Sequence, residues 1–448
     1  MELTKEQYSQ IAAVEKVVSK ARGKLGVADI CAETGYAARD VDSLMNVLME
    51  RYRCRLKMNP ADGRLQFNFE FPLRRRDEIT FHERWNNFTD AVWKIFKAAY
   101  KVSFGVVMAV YSIVYVVILF VLAAASNSSN DDDRRGGGEL SRFLTMRLTL
   151  EFVGYIAEVI FNREHKTRRE YYVQDGKRCY REYREESPSF VKGVYQFVFG
   201  PDVPKYDPLN DAKEVIAFLR TTNGRLTAGD IVNLSGATLD EAESRLAEYA
   251  GKFGGELHVE PSGVVVGEFE RILQKENAQL RGGKIEFYAN EVEPAVSLTG
   301  NSSKTNTGAC VLTGFNLLMS FIISSGGIDA YTGGYAGLIV VLLGYFPLLL
   351  SLLFFIIPLC RIPSVSRRKA QRERNIVRKF MIEYIVGNSE NGIKKSSIAR
   401  IAEMNRIPAN LLQSVLNKLV LELRGEVKLD PSGDAIYDFS VFKEELGR

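Results

Sequence analysis

Asp29-Ile30-Cys31-Ala32-Glu33-Thr34-Gly35 returns later in the chain as Asp230-Ile231-Val232-Asn233-Leu234-Ser235-Gly236. Read forward, the first string reaches Leu56-Lys57-Met58-Asn59-Pro60, then Gly63 and Phe69. The second reaches Leu257-His258-Val259-Glu260-Pro261, then Gly263 and Phe269. The two align without a gap from Asp29 and Asp230 to Pro60 and Pro261, and one deletion completes the match. A third occurrence, Gly425-Glu426-Val427-Lys428-Leu429-Asp430-Pro431-Ser432-Gly433, aligns with Gly255 through Gly263 and ends at Tyr437 and Phe439. One turn and one aromatic terminus used three times indicate an internal repeat, which sets the architecture before any other feature.

Each occurrence has the same physical pattern. A polar-led helix opens it, with a capping-box pattern at Thr4 and Gln7 in the first and a cap at Asp207-Pro208 in the second. A glycine break follows at Gly23, Gly224 and Gly392. A short helix then ends at Thr34-Gly35 or Ser235-Gly236. A third helix spaces its apolar residues helically, as Val41, Leu44, Met45 and Leu48, or Leu412, Val415, Leu416 and Leu419. Two alternating strands around a Pro-x-Gly turn close the unit. Three helices and a β-hairpin make a winged-helix layout; an unrelated αααββ module is the alternative.

Between the repeats the apolar residues are clumped. Val102–Ala125 carries no charge and is long enough to cross a bilayer core, and so is Tyr335–Leu359, with Pro347 and Pro358 as candidate kinks. Ala309–Ser325 is shorter and uncharged. Gly333 and Gly337 have the spacing that lets helices approach closely, although a flexible glycine loop explains them as well. Phe143–Phe161 is apolar except for Arg147, Glu151 and Glu158. Three central charges cost roughly 8–10 kcal/mol against about 5 gained. The three fall on one helical stripe, which would face the bundle or face water on an interfacial helix.

With four spans every basic flank falls on one side: Arg74–Arg76, Arg163–Arg169, Lys304 and Arg361–Arg374. Asp131–Asp133 and Asp329 fall on the other. The expected organisation is therefore repeat 1 (1–73) and an amphipathic lead-in with a membrane hairpin (82–161, spans 102–125 and 143–161). A basic juxtamembrane segment (162–206), repeat 2 (207–270) and a linker with short strands (271–308) follow. A second membrane hairpin (309–360, spans 309–325 and 335–359) and repeat 3 (366–448) complete it. The fold class is α+β soluble modules of three winged-helix-like repeats plus an α-helical transmembrane bundle. The termini and all three repeats sit on the cytoplasmic side of an inner membrane.

Composition excludes several classes of function. The net charge of +4 is too small to mark a nucleic-acid binder. Five cysteines without a CxxC pair and three scattered histidines supply no metal site, and no cofactor is expected. No phosphate loop, nucleophile–base pair or paired carboxylates are present, so the chain reads as a non-enzyme. The third helix of repeat 2 carries Asp240, Glu241, Glu243 and Glu248 against Arg245, which would repel a phosphate backbone. Arg168, Arg169, Tyr171, Tyr172, Arg178, Tyr180 and Arg181 form a basic, aromatic run suited to an anionic membrane surface or a nucleic acid; a solvated hairpin is the plainer reading.

Phe197-Val198-Phe199-Gly200-Pro201, Leu298-Thr299-Gly300-Asn301 and Asn316-Leu317-Leu318, with this order of parts, resemble a family of uncharacterised bacterial and chloroplast multi-pass membrane proteins with winged-helix-like repeats. The resemblance brings no catalytic residues. The iron–sulfur label carried by some members finds no cysteine cluster here. The reading is a membrane-anchored scaffold or adaptor whose partners are the lipid bilayer and a protein or a second copy. A membrane-tethered transcription regulator that binds nucleic acid is the alternative, and a small transporter or channel the third.

Overall fold

The computed structural model describes residues 5–22, 24–58, 65–71, 73, 81–125, 147, 150–155, 157–158, 165–174, 177–186, 189–201, 207–273, 277, 280, 282–326, 336–388 and 392–446. Thr4, Gly23 and Gly333 lie outside these residues, as do the acidic run at 131–133 and Asp329.

The first unit runs α1 (Lys5–Ala21), β1 (Lys24–Leu25), α2 (Val27–Thr34), α3 (Ala38–Arg51), β2 (Cys54–Met58) and β3 (Leu65–Phe69). Then come α4 (Phe81–Ala125), the ribbon β4 (His165–Gln174) and β5 (Lys177–Glu186), and α5 (Phe190–Phe199). The second unit is α6 (Asn210–Leu219), β6 (Arg225–Thr227), α7 (Ala228–Ser235), α8 (Leu239–Phe253), β7 (Glu256–Val259) and β8 (Val265–Glu268). Two long helices follow, α9 (Ser303–Ser324) and the 51-residue α10 (Gly337–Gly387), which is π-wound at Val340–Tyr345. The chain ends with β9 (Gly392–Lys394), α11 (Ile398–Met404), α12 (Ala409–Glu422), β10 (Glu426–Leu429), β11 (Ala435–Asp438) and α13 (Ser440–Glu445).

One element order therefore occurs three times: helix, strand, helix, helix, strand, strand, with the last strand central in each three-stranded antiparallel sheet. The short strand after the first helix is additional to the hairpin expected from sequence. Two or three residues are too few to show alternation. The aspartate that opens the repeated string has a clear role. Asp29 and Asp230 stand at the third helical position, where their carboxylates accept the N–H of Gly26 (3.4 Å) and Thr227 (3.1 Å). The glycine that closes it is equally determined. Gly35 and Gly236 take φ of 77° and 66° and donate their N–H to Cys31 and Val232. The third unit makes its turn without glycine, at Arg406 with φ 54°. Asp207 does not cap α6; its carboxylate and carbonyl instead accept from Leu209 and Asn210 in a turn before the helix.

The three units share one apolar core, to which α1–α3, α6–α8 and the C-terminal part of α10 with α11–α13 all contribute. Asp29 is fully buried at the joint between the first two units. Besides Gly26, it accepts from the backbone of Asn277 (3.1 Å) and from Arg220 Nη2 (3.4 Å). Gly35 lies so close to the Leu209 carbonyl that a Cβ would come within 2.9 Å of it. The second and third units meet where Thr227 Oγ1 donates to the Glu445 carbonyl and Arg378 Nη1 to the Gly236 carbonyl (2.7 Å).

Among the described residues three helices are long and apolar enough to cross a membrane: Ser103–Val121 within α4, α9, and Gly337–Gly387. Phe81–Val102 continues into the first of these as one helix. α4 and α9 run parallel, with Ser112 beside Asn316 and Tyr115 beside Ser320. α10 runs against both, since Leu343 faces Tyr115 while Phe354 and Arg361 lie beside Phe197 and Val198 of α5.

Several expected boundaries need correction. The span expected at 309–325 is Ser303–Ser324, because Ser302 caps the helix by accepting the Thr305 N–H. Repeat 3, expected from 366, is joined to the second membrane hairpin by a single helix. α10 runs unbroken through Pro358 and Pro363, so its C-terminal turns are the first helix of the third unit. Among the described residues 271–302 hold no strand; that segment lies along the units in two single 3-10 turns and one isolated bridge, Tyr171 to Glu293. Gly337 would meet nothing with a Cβ, whereas Gly105 on the Val191 backbone and Gly344 on Ser324 do make close approaches between helices. Most of 143–161 lies outside the described residues, and the described part is helical.

Removing one partner of a buried ion pair costs about 3–5 kcal/mol, because the other charge is left without compensation. Arg220→Ala is therefore expected to destabilise the soluble units by about that amount. Thermal unfolding in detergent checks it; a loss under about 1 kcal/mol would show that Asp29 is satisfied by its backbone donors alone.

Candidate functional site

The region that gathers most of the unusual chemistry is the junction where α10 leaves the apolar bundle and enters the soluble units. Its first layer is α5. This apolar helix packs Phe197 on Phe354 (ring centroids 4.5 Å) and Phe199 edge-on to Phe104 (6.3 Å). Gly200, at φ 92°, leaves room for the Arg361 guanidinium, which donates to the Val198 carbonyl (2.9 Å). Asn301 Nδ2 donates to the Gly193 carbonyl (2.7 Å), and Gly300 lies against Gln196. Phe197–Pro201 and Leu298–Asn301, far apart in sequence, thus meet here. The third quoted motif lies deeper. Asn316 donates to the Met108 carbonyl (3.0 Å) and accepts from Ser112 (2.9 Å). Tyr111 and Tyr115 donate to the carbonyls of Leu342 and Leu343, inside the π-wound turn.

The second layer is the ribbon. Direct pairs share a face, so Tyr171 lies opposite Tyr180 and Arg169 opposite Glu182. The Tyr171 ring receives two guanidinium groups, Arg178 at 4.6 Å and Arg372 at 5.3 Å from its centre. Arg178 also pairs with Glu373 (3.1 Å), and Arg372 donates to the carbonyls of Pro294 (2.7 Å) and Glu293 (3.2 Å). Two of the seven residues of the basic, aromatic run, Tyr171 and Arg178, are therefore spent on docking the ribbon to α10. Arg169, Tyr180 and Arg181 remain exposed; Arg169 lies over Tyr180 and Arg181 over Tyr172. Arg168 occupies β4 opposite Tyr183, with its side chain outside the described set.

The third layer is a charged cluster. Lys379, only 4% exposed, pairs with Glu291 (3.2 Å) and Glu293 (3.1 Å) and lies over the Tyr288 ring. Glu214 accepts the Glu286 N–H nearby, and burial pushes its carboxyl up to about 7. Burial also raises the Glu291 carboxyl, against the pull of Lys379.

The Arg147, Glu151 and Glu158 stripe does not turn into the bundle. Arg147 and Glu151 pair with each other (3.0 Å), 65% and 60% exposed, while Glu158 reaches Lys304 at the start of α9 (2.9 Å). Phe152, between them in sequence, packs on Phe315 of α9. Sequence reasoning missed α5, whose ten residues were absorbed into the juxtamembrane segment. The apolar run from Phe190 to Phe199 was its available signal. The α5 contacts of Asn301 and Arg361 had none.

Among the described residues no group of histidines, cysteines and carboxylates could hold a metal ion. Burial pushes the Cys31 thiol up to about 12, which keeps it protonated and unreactive. No family model, curated protein or solved structure matches the chain.

Glu214 gives a pH signature. Its folded carboxyl titrates near 7 and its unfolded one near 4.5, so between those values only the folded chain holds the proton. Glu214's contribution to stability is full below about 4.5 and is lost as pH rises to about 7. Glu214→Gln should flatten the decline in melting temperature between these limits; an unchanged slope would assign the dependence elsewhere.

Proposed function

We propose that the chain is a membrane-anchored scaffold, without catalysis, that holds three winged-helix modules as one body against the cytoplasmic leaflet. The single observation carrying this reading is α10. Its N-terminal part is apolar and exposed at Leu349, Leu352, Leu353, Ile356 and Leu359, as a lipid-facing helix would be. Its C-terminal part buries Val377, Phe380, Met381, Ile382 and Ile385 in the shared core. One rigid rod thus ties body to bilayer with no linker between them. The N-terminal ends of α4 and α9 and the basic end of α10's apolar part lie together, which supports one-sided modules in a four-span topology.

Winged-helix domains that read DNA do so with the start of the third helix. In the second unit that site is filled from within, because Arg424 binds Asp240 (2.9 Å) and Glu243 (2.8 Å) of α8. The start of α7 is covered by α13, where Gly229 touches the Glu445 backbone. These surfaces serve module–module contact, which favours the scaffold over the transcription regulator.

Crosslinking with mass spectrometry in native membranes should recover links between the modules together with links to a protein partner or a second copy. A salt-titrated DNA-binding assay on the detergent-solubilised chain should show no steep salt-dependent affinity. Tight binding that falls with a slope of several charges would overturn the scaffold reading. Cysteines placed at Asp132 and Lys166 should label from opposite sides of the membrane; labelling from one side would remove the four-span topology.

A further inference from the structure

Two polar stripes face each other just below the apolar end of α10. On α10, Arg367, Gln371, Arg374 and Arg378 follow a helical spacing of four, three and four, so they share one face. On α12, Ser414, Lys418 and Glu422 repeat every fourth residue. Between the stripes lies a groove of about 630 Å³, floored by Ala370, Val415 and Leu419.

The charge in this groove is strongly one-sided. Four cations line it against one carboxylate, Glu422. That carboxylate is already engaged by Arg378 (2.7 Å) and Lys418 (3.1 Å). Among the described residues Arg367 and Arg374 have no carboxylate partner. Unpaired guanidinium groups beside an apolar floor gain most from an anion with several acceptor oxygens, because each guanidinium can give two parallel hydrogen bonds to it. The volume falls within the usual range for small-molecule sites, roughly 300–1,000 Å³. It is too small for a folded partner.

Position narrows the ligand. Arg367 stands eight residues beyond Leu359, the last residue of the apolar stretch, which is roughly 12 Å along the helix. With the apolar turns in lipid, Arg367 starts just beyond a headgroup layer roughly 5–8 Å thick, its long side chain can reach back to that layer, and the groove extends away from it. We infer that it binds a phosphate-bearing anion, gripped by Arg367, Arg374 and Lys418, with Arg378 held by Glu422 as its inner wall. The anion is either the headgroup of an anionic phospholipid or a dissolved phosphate compound. The anion grip goes beyond the scaffold reading and stands apart from it, whereas the headgroup source rests on the membrane placement that reading assumes.

The test uses the full chain and two variants of exposed residues. Arg374→Gln with Lys418→Gln removes two groove cations; Lys369→Gln removes a cation of the same helix outside the groove. In one arm, inorganic pyrophosphate is titrated calorimetrically into detergent-solubilised protein. In the other, native mass spectrometry counts lipids retained from nanodiscs of phosphatidylglycerol against phosphatidylcholine. The double variant should lose about tenfold or more in affinity, or its retained phosphatidylglycerol, while Lys369→Gln stays within about twofold of the parent. An effect in the pyrophosphate arm assigns a dissolved phosphate, and one confined to the nanodisc arm assigns a headgroup. If neither arm separates the double variant from Lys369→Gln, the groove is not an anion site.

Discussion

A helix that is apolar at one end and closes a soluble core at the other cannot choose its environments independently. α10 is such a helix, and most of the architecture follows from it. Its apolar turns need lipid or other apolar helices, which α4, α5 and α9 partly supply. Its C-terminal turns need the core of the third unit, without which Val377, Phe380 and Ile382 would stand in water. No flexible segment separates the two demands. The soluble body is therefore fixed in height and rotation relative to the bundle, and the surrounding pieces serve to hold that geometry. Arg361 on α5, Arg372 on the ribbon and Lys379 on the 286–293 segment brace the rod successively along its length.

The same constraint explains why the three units lie against each other. With the third unit fixed at the end of α10, the second docks on it through Arg378, Arg424 and Glu445, and the first on the second through Asp29 and Gly35. In the second unit the start of α8 is used in this stacking, through Asp240 and Glu243. What stays open is of a different kind. The edge strands β7 and β10 expose Leu257, Val259, Val427 and Leu429, and the basic face of α10 exposes Arg367 and Arg374.

Much of the fold was legible because it rests on local rules. The repeated Asp and Gly are a helix-start acceptor and a left-handed helix end, and each leaves its signature wherever the unit recurs. The long uncharged stretches show as readily, since bilayer thickness sets their length. What sequence could not show was non-local. α5 is a short apolar helix that looks like neither a span nor a surface helix, and its place depends on Gly105 and Asn301 far away in the chain. The ribbon's composition suits an anionic membrane surface, a nucleic acid or plain solvent, yet Tyr171 is held between two arginines, one of them contributed by α10. The continuity of α10 across 366 was hidden for a related reason. A run of arginines reads as a basic flank, while helical continuity is decided by the core residues that come after it.

The claim that one unbroken rod joins bundle and body is most directly tested by amide hydrogen exchange on the chain in lipid nanodiscs, followed across residues 346–387. Protection should continue from the apolar turns through Arg361–Asn375 into Ile376–Ile385 without an interval of fast exchange. A stretch between Pro363 and Asn375 that exchanges at unfolded rates, with protection on either side, would reveal a hinge and contradict the account.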